Sequence, residues 1–344
     1  MQQKVSDPPV HAPAPSERAG LAVIPVIDTG PSYPMETLVR EERRAHQLLD
    51  AATSIVPQRT LGVLDAVSRR WLAKWNNAHL AEIDAIAAKL ARPGAYFLSV
   101  NYEWGCTCRV APSPDRATAR LIRVLDWRTD GLGRNVIAAK VAGGAGPFVT
   151  FTWPGYTGVL QAMAKGRFSA ALNQAPMRRV AGSYALDWAA NRRRVWTMPH
   201  QTPAHLLRAA FEQAADFAEA RQMLITQPIS TPAIYSLAGI KPSETVVIER
   251  NETEARVHDG PNVAANHWQA PLWQGRARGH DSPGRACRMA AISPEFDPKF
   301  PWFKAPILND RTRLVLVADA AVGRVVVQGY EASGAATEPL DLVA

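Results

Sequence analysis

Cysteine is scarce in this chain, and long apolar runs are missing from it. Its 344 residues include three cysteines, two of them separated by a single residue. That number does not fit the disulfide framework of a small secreted protein and indicates a reducing compartment. No run of about 18 apolar residues occurs that could cross a membrane, and the N-terminus lacks the pattern of a signal peptide. We therefore expect a cytoplasmic protein.

Charge is limited as well, and its excess is positive. Charged residues make up 20% of the chain and hydrophobic residues 47%, which is typical of a globular protein with a sizeable core. Lys and Arg outnumber Asp and Glu by 39 to 31, so nucleic acid has to be considered as a partner. The densest basic run, 192–194, lies between Trp188 and Trp196 without a nucleic-acid-binding motif. We expect a solvated surface there and no nucleic-acid partner.

The sequence patterns divide the chain into three parts. Residues 1–34 are rich in proline and small residues without periodicity, which predicts a flexible arm or an extended strap. Residues 35–105 begin with apolar residues at helical spacing, which predict two or three amphipathic helices up to about Leu90. The segment AYFLSVNY that follows, at 95–102, has the composition of a strand. Residues 106–344 form the third part.

Strand-like runs dominate this third part. β-Branched segments predict strands at RLIRVLDW, NVIAAKV, PFVTFTW, RFSAALN, ETVVIER and EARVHD. RLVLVADA and GRVVVQGY predict a hairpin near the C-terminus. Helical patterns return in TGVLQAMAK and over 203–224, where Thr202 is the predicted N-cap. Helices followed by sheet with helical insertions favour an α+β fold.

The pair Gly105 and Cys106 suggests a nucleophile that is released by self-cleavage. An N-terminal cysteine supplies its own base, because an α-amino group with a pKa of about 7.7–8.0 accepts a proton near neutral pH. Cys106 gains such an amine only if the chain is cut after Gly105. The missing side chain at Gly105 lets the thiol approach the preceding carbonyl. The pair becomes specific only together with neighbouring motifs.

Six motifs follow one another in order along the chain. They are WGCTCRV from Trp104, RVLDW from Arg123, WPGYTG from Trp153, GRFSAALN from Gly166, NHW from Asn266 and DSPGR from Asp281. Their order and spacing resemble the acid ceramidase and N-acylethanolamine amidase branch of the cysteine Ntn hydrolases, beside choloylglycine hydrolases and penicillin V acylases. The resemblance covers about residues 90–330. It implies an αββα sandwich over 106–344, preceded by a helical propeptide over 35–105.

The resemblance also implies roles for individual residues. Cys106 would be both the autocleavage and the catalytic nucleophile, after cleavage of the bond that follows Gly105. Asp126 would orient the freed amine, and Arg123 would place positive charge near the thiol. Asn266 would donate to the oxyanion. Asn173 and Arg285 complete the implied site, with Asn173 as a second asparagine and Arg285 holding the charge network.

Three features of the sequence qualify the resemblance and the roles that it implies. Arg288 is the alternative to Arg285, because it lies nearby in the same segment. Val124 departs from the branch, which often has a polar residue at that position. The spacing of Cys106 and Cys108 lacks the further ligands of a zinc site, so we expect Cys108 to be a buried inert thiol. We expect no metal and no cofactor.

The implied substrate is a small-molecule N-acyl amide with an apolar acyl chain. Trp153, Tyr156 and Trp268 are candidates for lining its pocket, with ordinary core packing as the alternative. Hydrolysis would proceed through an acyl-cysteine while the two cleaved segments stay associated. An acyltransferase of the isopenicillin N acyltransferase type would use the same intermediate. A non-catalytic protein whose Trp71 and Trp75 stripe docks on a membrane or partner is another alternative. We favour a stripe that packs on the catalytic core or covers the site before cleavage.

Overall fold

The computed structural model describes residues 20–55, 57–100 and 104–344. Its helices are α1 (Met35–Arg40), α2 (Glu42–Ile55), α3 (Gln58–Lys74), α4 (Leu80–Leu90), α5 (Ala95–Val100), α6 (Tyr184–Thr197), α7 (Pro203–Gln213), α8 (Phe217–Thr226) and α9 (Ser282–Ala290). Its strands are β1 (Val26–Gly30), β2 (Trp104–Pro112), β3 (Ala119–Trp127), β4 (Ile137–Gly143), β5 (Gly146–Thr152), β6 (Gln161–Ala164), β7 (Phe168–Gln174), β8 (Ala233–Ala238), β9 (Thr245–Arg250), β10 (Ala255–Asp259), β11 (Asn262–Ala264), β12 (Thr312–Asp319), β13 (Arg324–Glu331), β14 (Gly334–Ala335) and β15 (Leu340–Val343). Within these residues, no helix is long and apolar enough to cross a membrane.

Two sheets pack against each other at the centre of the fold. The larger sheet has the order β1-β4-β5-β6-β7-β8-β9-β10, and the smaller one has the order β11-β2-β3-β12-β13, with β14 and β15 both paired with β13. β2 and β3 contact β7 and β8 across the interface between the sheets. Almost every residue of β3, β7 and β9 is buried, which explains their near-continuous apolar sequences.

Helices cover the outer face of each sheet. α7 packs on β4, β5 and β7, and α8 packs on β8 and β9, whereas α9 packs on β2 and β11 of the smaller sheet. Val124 points to this second outer layer, where it is buried beside Met289 and Phe303. The order of layers is therefore helix, sheet, sheet, helix. The predicted α+β class and αββα sandwich are confirmed.

The predicted hairpin near the C-terminus is confirmed, and two predicted elements are wrong. β12 and β13 pair antiparallel, with Leu314 opposite Gly329. The segment 95–102 was predicted as a strand, but Ala95–Val100 is the helix α5, packed on α3 and α4. The segment TGVLQAMAK was predicted as a helix, but it contains the strand β6 between β5 and β7. Short apolar runs have no decisive period, so packing partners select their structure.

Two boundaries differ from the sequence prediction. The helix predicted over 203–224 is divided into α7 and α8, because Asp216 caps the second helix by accepting a hydrogen bond from the Glu219 N–H. The predicted cap at Thr202 is confirmed, since its side chain accepts from the His205 N–H. Part of the arm predicted over 1–34 is the strand β1, which pairs in parallel with β4. Residues 1–19 of that arm lie outside the described residues.

The N-terminal helices pack on the rest of the chain through an aromatic stripe. The Trp71 and Trp75 indole N–H groups donate to the backbone oxygens of Val195 and Trp196 on α6, at 3.0 and 3.2 Å. Arg208 on α7 forms an ion pair of 2.7 Å with Glu82 on α4. The stripe therefore packs against the core of the molecule, as the sequence favoured. Four helices, α1 to α4, occupy the region where two or three were predicted.

Candidate functional site

The pairing of β2 with β3 places the predicted site residues on two faces of the smaller sheet. Gly105 lies opposite Asp126, and Cys108 lies opposite Arg123. Opposed residues of an antiparallel pair share a face, and alternate residues of a strand point to opposite faces. Cys106, Cys108 and Arg123 therefore point between the sheets, whereas Gly105 and Asp126 belong to the other face.

Arg123 connects β3, the strand that pairs with β2, to β7 of the opposite sheet. Its Nη1 donates to Asn173 Oδ1 at 2.7 Å, and its Nη2 donates to the Leu172 carbonyl oxygen at 3.0 Å. The same carbonyl oxygen lies 3.8 Å from the Cys106 Sγ. All of these groups are buried. The guanidinium thus lies beside the thiol, as the sequence predicted, and is held there by backbone and amide oxygens.

Burial controls the ionisation of the Cys106 thiol. Cys106 is fully buried, and this burial raises the pKa of its thiol to about 12 although the positive charge of Arg123 acts to lower it. The nearby Asp126 carboxylate adds to the increase. A thiol with this pKa is protonated at neutral pH and therefore a weak nucleophile. A base close to the sulfur is needed before it can react with a substrate.

Asn266 binds the backbone nitrogen of the nucleophile. It lies in the loop after β11, and its Oδ1 accepts a hydrogen bond of 2.6 Å from the Cys106 N–H. The same oxygen accepts from Arg285 Nη2 at 3.0 Å, and Asn266 Nδ2 donates to the Gln174 carbonyl oxygen at 2.7 Å. The structure therefore brings Asn266 to Cys106, with its amide oxygen rather than its amide nitrogen towards it. The oxyanion role stays a prediction.

Arg285 and Asp126 lie beside Cys106 and Gly105 on the other face of β2. Arg285 on α9 is fully buried, and its Nη1 donates to the Cys106 carbonyl oxygen at 2.7 Å. The same Nη1 lies 3.4 Å from Asp126 Oδ2. Asp126 Oδ1 accepts a hydrogen bond of 3.0 Å from the Thr312 hydroxyl. Arg288, the alternative from the sequence, lies exposed on the same helix.

Asn173 has a bridging position between the sheets. Its Oδ1 accepts from Arg123 and from the Cys108 thiol, and its Nδ2 donates to the backbone oxygens of Ala264 and Ala265. Cys108 is buried, as expected for an inert thiol. In the described residues, no three His, Cys, Asp or Glu side chains are grouped so that they could hold a metal ion.

The aromatic residues that were predicted to line the substrate pocket lie elsewhere. Trp153 and Tyr156 line a separate cavity of about 70 Å³ beneath α2 and α4, where the Trp153 indole donates to the Leu132 carbonyl oxygen. Trp268 packs edge-on against Trp273 and lines neither this cavity nor the one beside the nucleophile. The core alternative describes Trp153 and Tyr156, because both are buried at the end of β5.

A larger, mainly apolar cavity of about 230 Å³ reaches Leu172 and Asn173, next to the nucleophile. Its walls come from α3, α5, α6 and the segment after β7. The aromatic and aliphatic residues that line the cavity are Val67, Trp71, Val100, Trp104, Met177, Trp188, Val195 and Trp196. Sequence reasoning missed this cavity, because its walls come from segments more than 100 residues apart. The aromatic residues flanking the basic run 192–194 were its one visible signal.

Two solved structures are similar to this chain. A Caenorhabditis elegans N-acylethanolamine-hydrolyzing acid amidase ortholog aligns over 69% of this chain and 100% of its own, with a TM-score of 0.50 and 21% identity. A mutant conjugated bile acid hydrolase from Clostridium perfringens aligns over 69% of this chain and 96% of its own, with a TM-score of 0.36 and 9% identity. No protein-family model and no curated protein sequence matches the chain. The first likeness confirms the predicted Ntn-hydrolase fold.

Proposed function

We propose that this chain is a self-processing cysteine amidase, which cleaves its own Gly105–Cys106 bond and then hydrolyses a linear N-acyl amide. The observation that carries the proposal is the convergence of separate elements around Gly105 and Cys106. Four side chains take part: Arg123 and Asp126 from β3, Asn266 from the loop after β11, and Arg285 from α9. The fold shared with an amide-hydrolysing protein supports the same reaction class.

The first step is an attack of the Cys106 sulfur on the Gly105 carbonyl carbon. A C–S bond forms, the C–N bond breaks, and the thiol proton moves to the Cys106 nitrogen, which becomes a free amine. Water then hydrolyses the thioester, which restores the thiol and leaves a carboxylate on Gly105. Hydrogen bonds to the Cys106 nitrogen and carbonyl oxygen hold this residue in place during the shift.

The freed amine becomes the base that the buried thiol lacks. Asn266 Oδ1 already accepts from this nitrogen, and Asp126 lies at the adjacent position of β3. The carboxylate would raise the basicity of the amine by stabilising its charged form. The positive charge of Arg123 would favour the thiolate that results. The positions of Asn266, Asp126 and Arg123 therefore support Cys106 as an N-terminal nucleophile.

Substrate hydrolysis then follows the same chemistry in two stages. The thiolate attacks the amide carbonyl carbon, the C–N bond breaks, and the leaving amine takes the proton from the Cys106 ammonium. Water attacks the acyl-thioester and releases the acid. The oxyanion donor that we predict is Asn266 Nδ2, which requires rotation of the amide after the Cys106 N–H has become an amine. No cofactor takes part in either stage.

The apolar cavity next to Leu172 supports an apolar acyl chain in the substrate. The Arg123 guanidinium donates to the Leu172 carbonyl oxygen. The indole rings of Trp71 and Trp196 line the same cavity as Leu172. Because α3 carries Trp71, the N-terminal segment has to stay bound after cleavage for the cavity to persist. The Arg208–Glu82 ion pair and the indole contacts with α6 support this association.

Intact mass and a denaturing gel test the proposal directly. Purified wild-type protein and the Cys106→Ala variant are incubated across mildly acidic to neutral pH. The 37.5 kDa wild-type chain is expected to give fragments of about 11 and 26 kDa, the larger one starting at Cys106. The variant is expected to stay intact. The processed protein is then assayed with N-acyl amides of several chain lengths.

An intact wild-type chain at every pH, with no labelling of Cys106 by an acylating probe, would overturn the proposal. The non-catalytic alternative would then have to be preferred. A cleaved chain that transfers acyl groups to added amines faster than to water would instead identify an acyltransferase.

A further inference from the structure

A polar cleft of about 420 Å³ lies over Gly105 and Asp126, on the face of the smaller sheet opposite to the thiol. Arginines from four separate segments line it: Arg128, Arg179, Arg276 with Arg278, and Arg311. Asp126 is the one carboxylate among the described lining residues. The walls of the cleft therefore carry a net positive charge directly beside the bond that is cleaved.

The charge of three of these arginines is not neutralised within the described part of the chain. Arg276 pairs with Asp187 at 3.0 Å, and Asp126 faces Arg285. By contrast, no described residue forms a hydrogen bond or ion pair with the side chain of Arg128, Arg179 or Arg311. A group of unpaired guanidinium ions in a concave site attracts anions and is suited to binding carboxylate or phosphate oxygens.

The cationic cleft and the apolar cavity meet at the nucleophile strand. Trp104, Gln174, Met177 and Arg278 line both of them. Trp104 is the residue before Gly105, and its backbone N–H donates to Gln174 Oε1 at 3.0 Å. Proposed cleavage after Gly105 cuts the covalent link between Trp104 and Cys106. A substrate amide at Cys106 would then have an apolar cavity on one side and a positive cleft on the other.

We propose that the amine half of the substrate carries an anion, a carboxylate or a phosphate, which binds in the cleft of Arg128, Arg179 and Arg311. This inference rests on the proposed amidase function and adds the chemical class of the substrate. An N-acyl amino acid or an N-acyl phosphoethanolamine has the required form. Hydrolysis consumes one water, and gives a fatty acid and an amine that keeps its anionic group.

Three substrates with one acyl chain test the inference on processed protein. N-Octanoylglycine carries a carboxylate, N-octanoyl-O-phosphoethanolamine carries a phosphate, and N-octanoylethanolamine is neutral. We expect kcat/KM to be at least tenfold higher for one or both anionic substrates, and this ratio to fall as salt increases. The neutral compound should be hydrolysed more slowly with little dependence on salt. The two anionic compounds distinguish carboxylate from phosphate recognition.

A triple variant assigns the preference to the cleft. Arg128→Gln, Arg179→Gln and Arg311→Gln together should remove the preference for anions, while kcat/KM for the neutral compound changes less than twofold. Arg288→Gln is the matched control, because this exposed arginine lies on α9 outside the cleft. This control should leave the preference for anionic substrates and kcat/KM for the neutral compound unchanged. A triple variant that retains the preference, or a wild-type protein without one, overturns the inference.

A binding measurement distinguishes failure of the anion-site inference from failure of the proposed amidase function. Ketone analogues, in which CH₂ replaces the amide NH, resist hydrolysis and are titrated calorimetrically into wild-type and triple-variant protein. The acidic analogue of N-octanoylglycine should bind the wild type at least tenfold more tightly than the alcohol analogue, and the triple variant should not discriminate. Equal binding of both by the wild type overturns the inference even if amides are hydrolysed. Tighter binding of the acidic analogue than of the alcohol analogue, without hydrolysis of any amide, would retain the anion site but reject the amidase function.

Discussion

Asp126 lies directly opposite Gly105 across the β2–β3 pair, and its side chain borders the space that a side chain at position 105 would enter. A Cβ at this position would lie 3.4 Å from Asp126 Oδ2 and 3.3 Å from Asp126 Cβ. The Gly279 backbone closes the other side at 3.4 Å. Glycine thus allows the carboxylate to lie against the bond that we propose is cleaved.

This contact predicts that side chains at position 105 slow self-cleavage. Gly105→Ala should reduce the cleavage rate about tenfold and Gly105→Val should nearly abolish it, because Asp126 and the peptide bond must move apart. Gly62→Ala is the matched control, since an added Cβ on that helix meets no atom within 4 Å. Gel densitometry over time measures the rates. Cleavage of Gly105→Val at the wild-type rate would contradict this account.

Arg285 is predicted to stabilise the fold as well as the site. Replacement by Met leaves Asp126 buried with its ion-pair partner removed, which should lower the free energy of unfolding by about 3–5 kcal/mol. Arg288→Met, on the same helix but exposed, should change it by less than about 0.5 kcal/mol. Both are measured by denaturant unfolding in a Cys106→Ala background, so that every chain is intact.

A second substitution tests the physical cause. If the loss arises from the unpaired carboxylate, Asp126→Asn combined with Arg285→Met should be less destabilising than the sum of the two single changes. Additive losses would mean that Arg285 stabilises the protein chiefly through its bonds to the Cys106 carbonyl oxygen and Asn266 Oδ1.

The raised pKa of Cys106 predicts that its reactivity depends on cleavage. With a pKa of about 12, roughly one thiol in ten thousand is ionised at pH 8. Iodoacetamide should therefore alkylate Cys106 in uncleaved Gly105→Val protein at least tenfold more slowly than in processed wild type. Peptide mass spectrometry follows the reaction, and the exposed Cys287 serves as the internal reference.

The same pKa has a consequence for stability at high pH. Folding keeps the thiol protonated up to about pH 12, whereas the unfolded chain loses this proton from about pH 9. The stabilising contribution is complete below pH 9 and declines as the pH rises towards 12. Cys106→Ala should flatten this part of the stability curve. In the alkylation experiment with iodoacetamide, equal rates for the cleaved and uncleaved proteins would contradict the raised pKa of Cys106.

Local sequence predicted the strands better than the helices. RLIRVLDW and RFSAALN form buried strands because their apolar residues are continuous and both of their faces are covered. AYFLSVNY and TGVLQAMAK were assigned the wrong way round, since neither run is long enough for its period to decide between helix and strand. Packing on α3 and α4 makes Ala95–Val100 of the first segment a helix, and pairing with β5 and β7 makes Gln161–Ala164 of the second a strand.

The proximity of the candidate residues was easier to predict than the cavities around them. Cys106, Arg123 and Asp126 lie on paired neighbouring strands, so their order in the chain nearly fixes their geometry. The choice of Arg285 over Arg288 required α9, which buries Ser282, Arg285 and Met289 against the sheet and leaves Arg288 outside. Trp153 and Tyr156 line a cavity other than the one beside Cys106, because aromatic character does not determine which space a ring fills.

By itself, the sequence determined the layered α+β fold and indicated Cys106 with Arg123 and Asp126 as the candidate site, because these inferences depend on residue type, strand patterning and short spacings. Only the tertiary structure decided that Asn266 turns its oxygen towards Cys106, that α3 and α6 enclose an apolar cavity, and that arginines from four segments share one cleft. Contacts between residues far apart in the chain leave no period or spacing in the sequence, so packing alone brings them together.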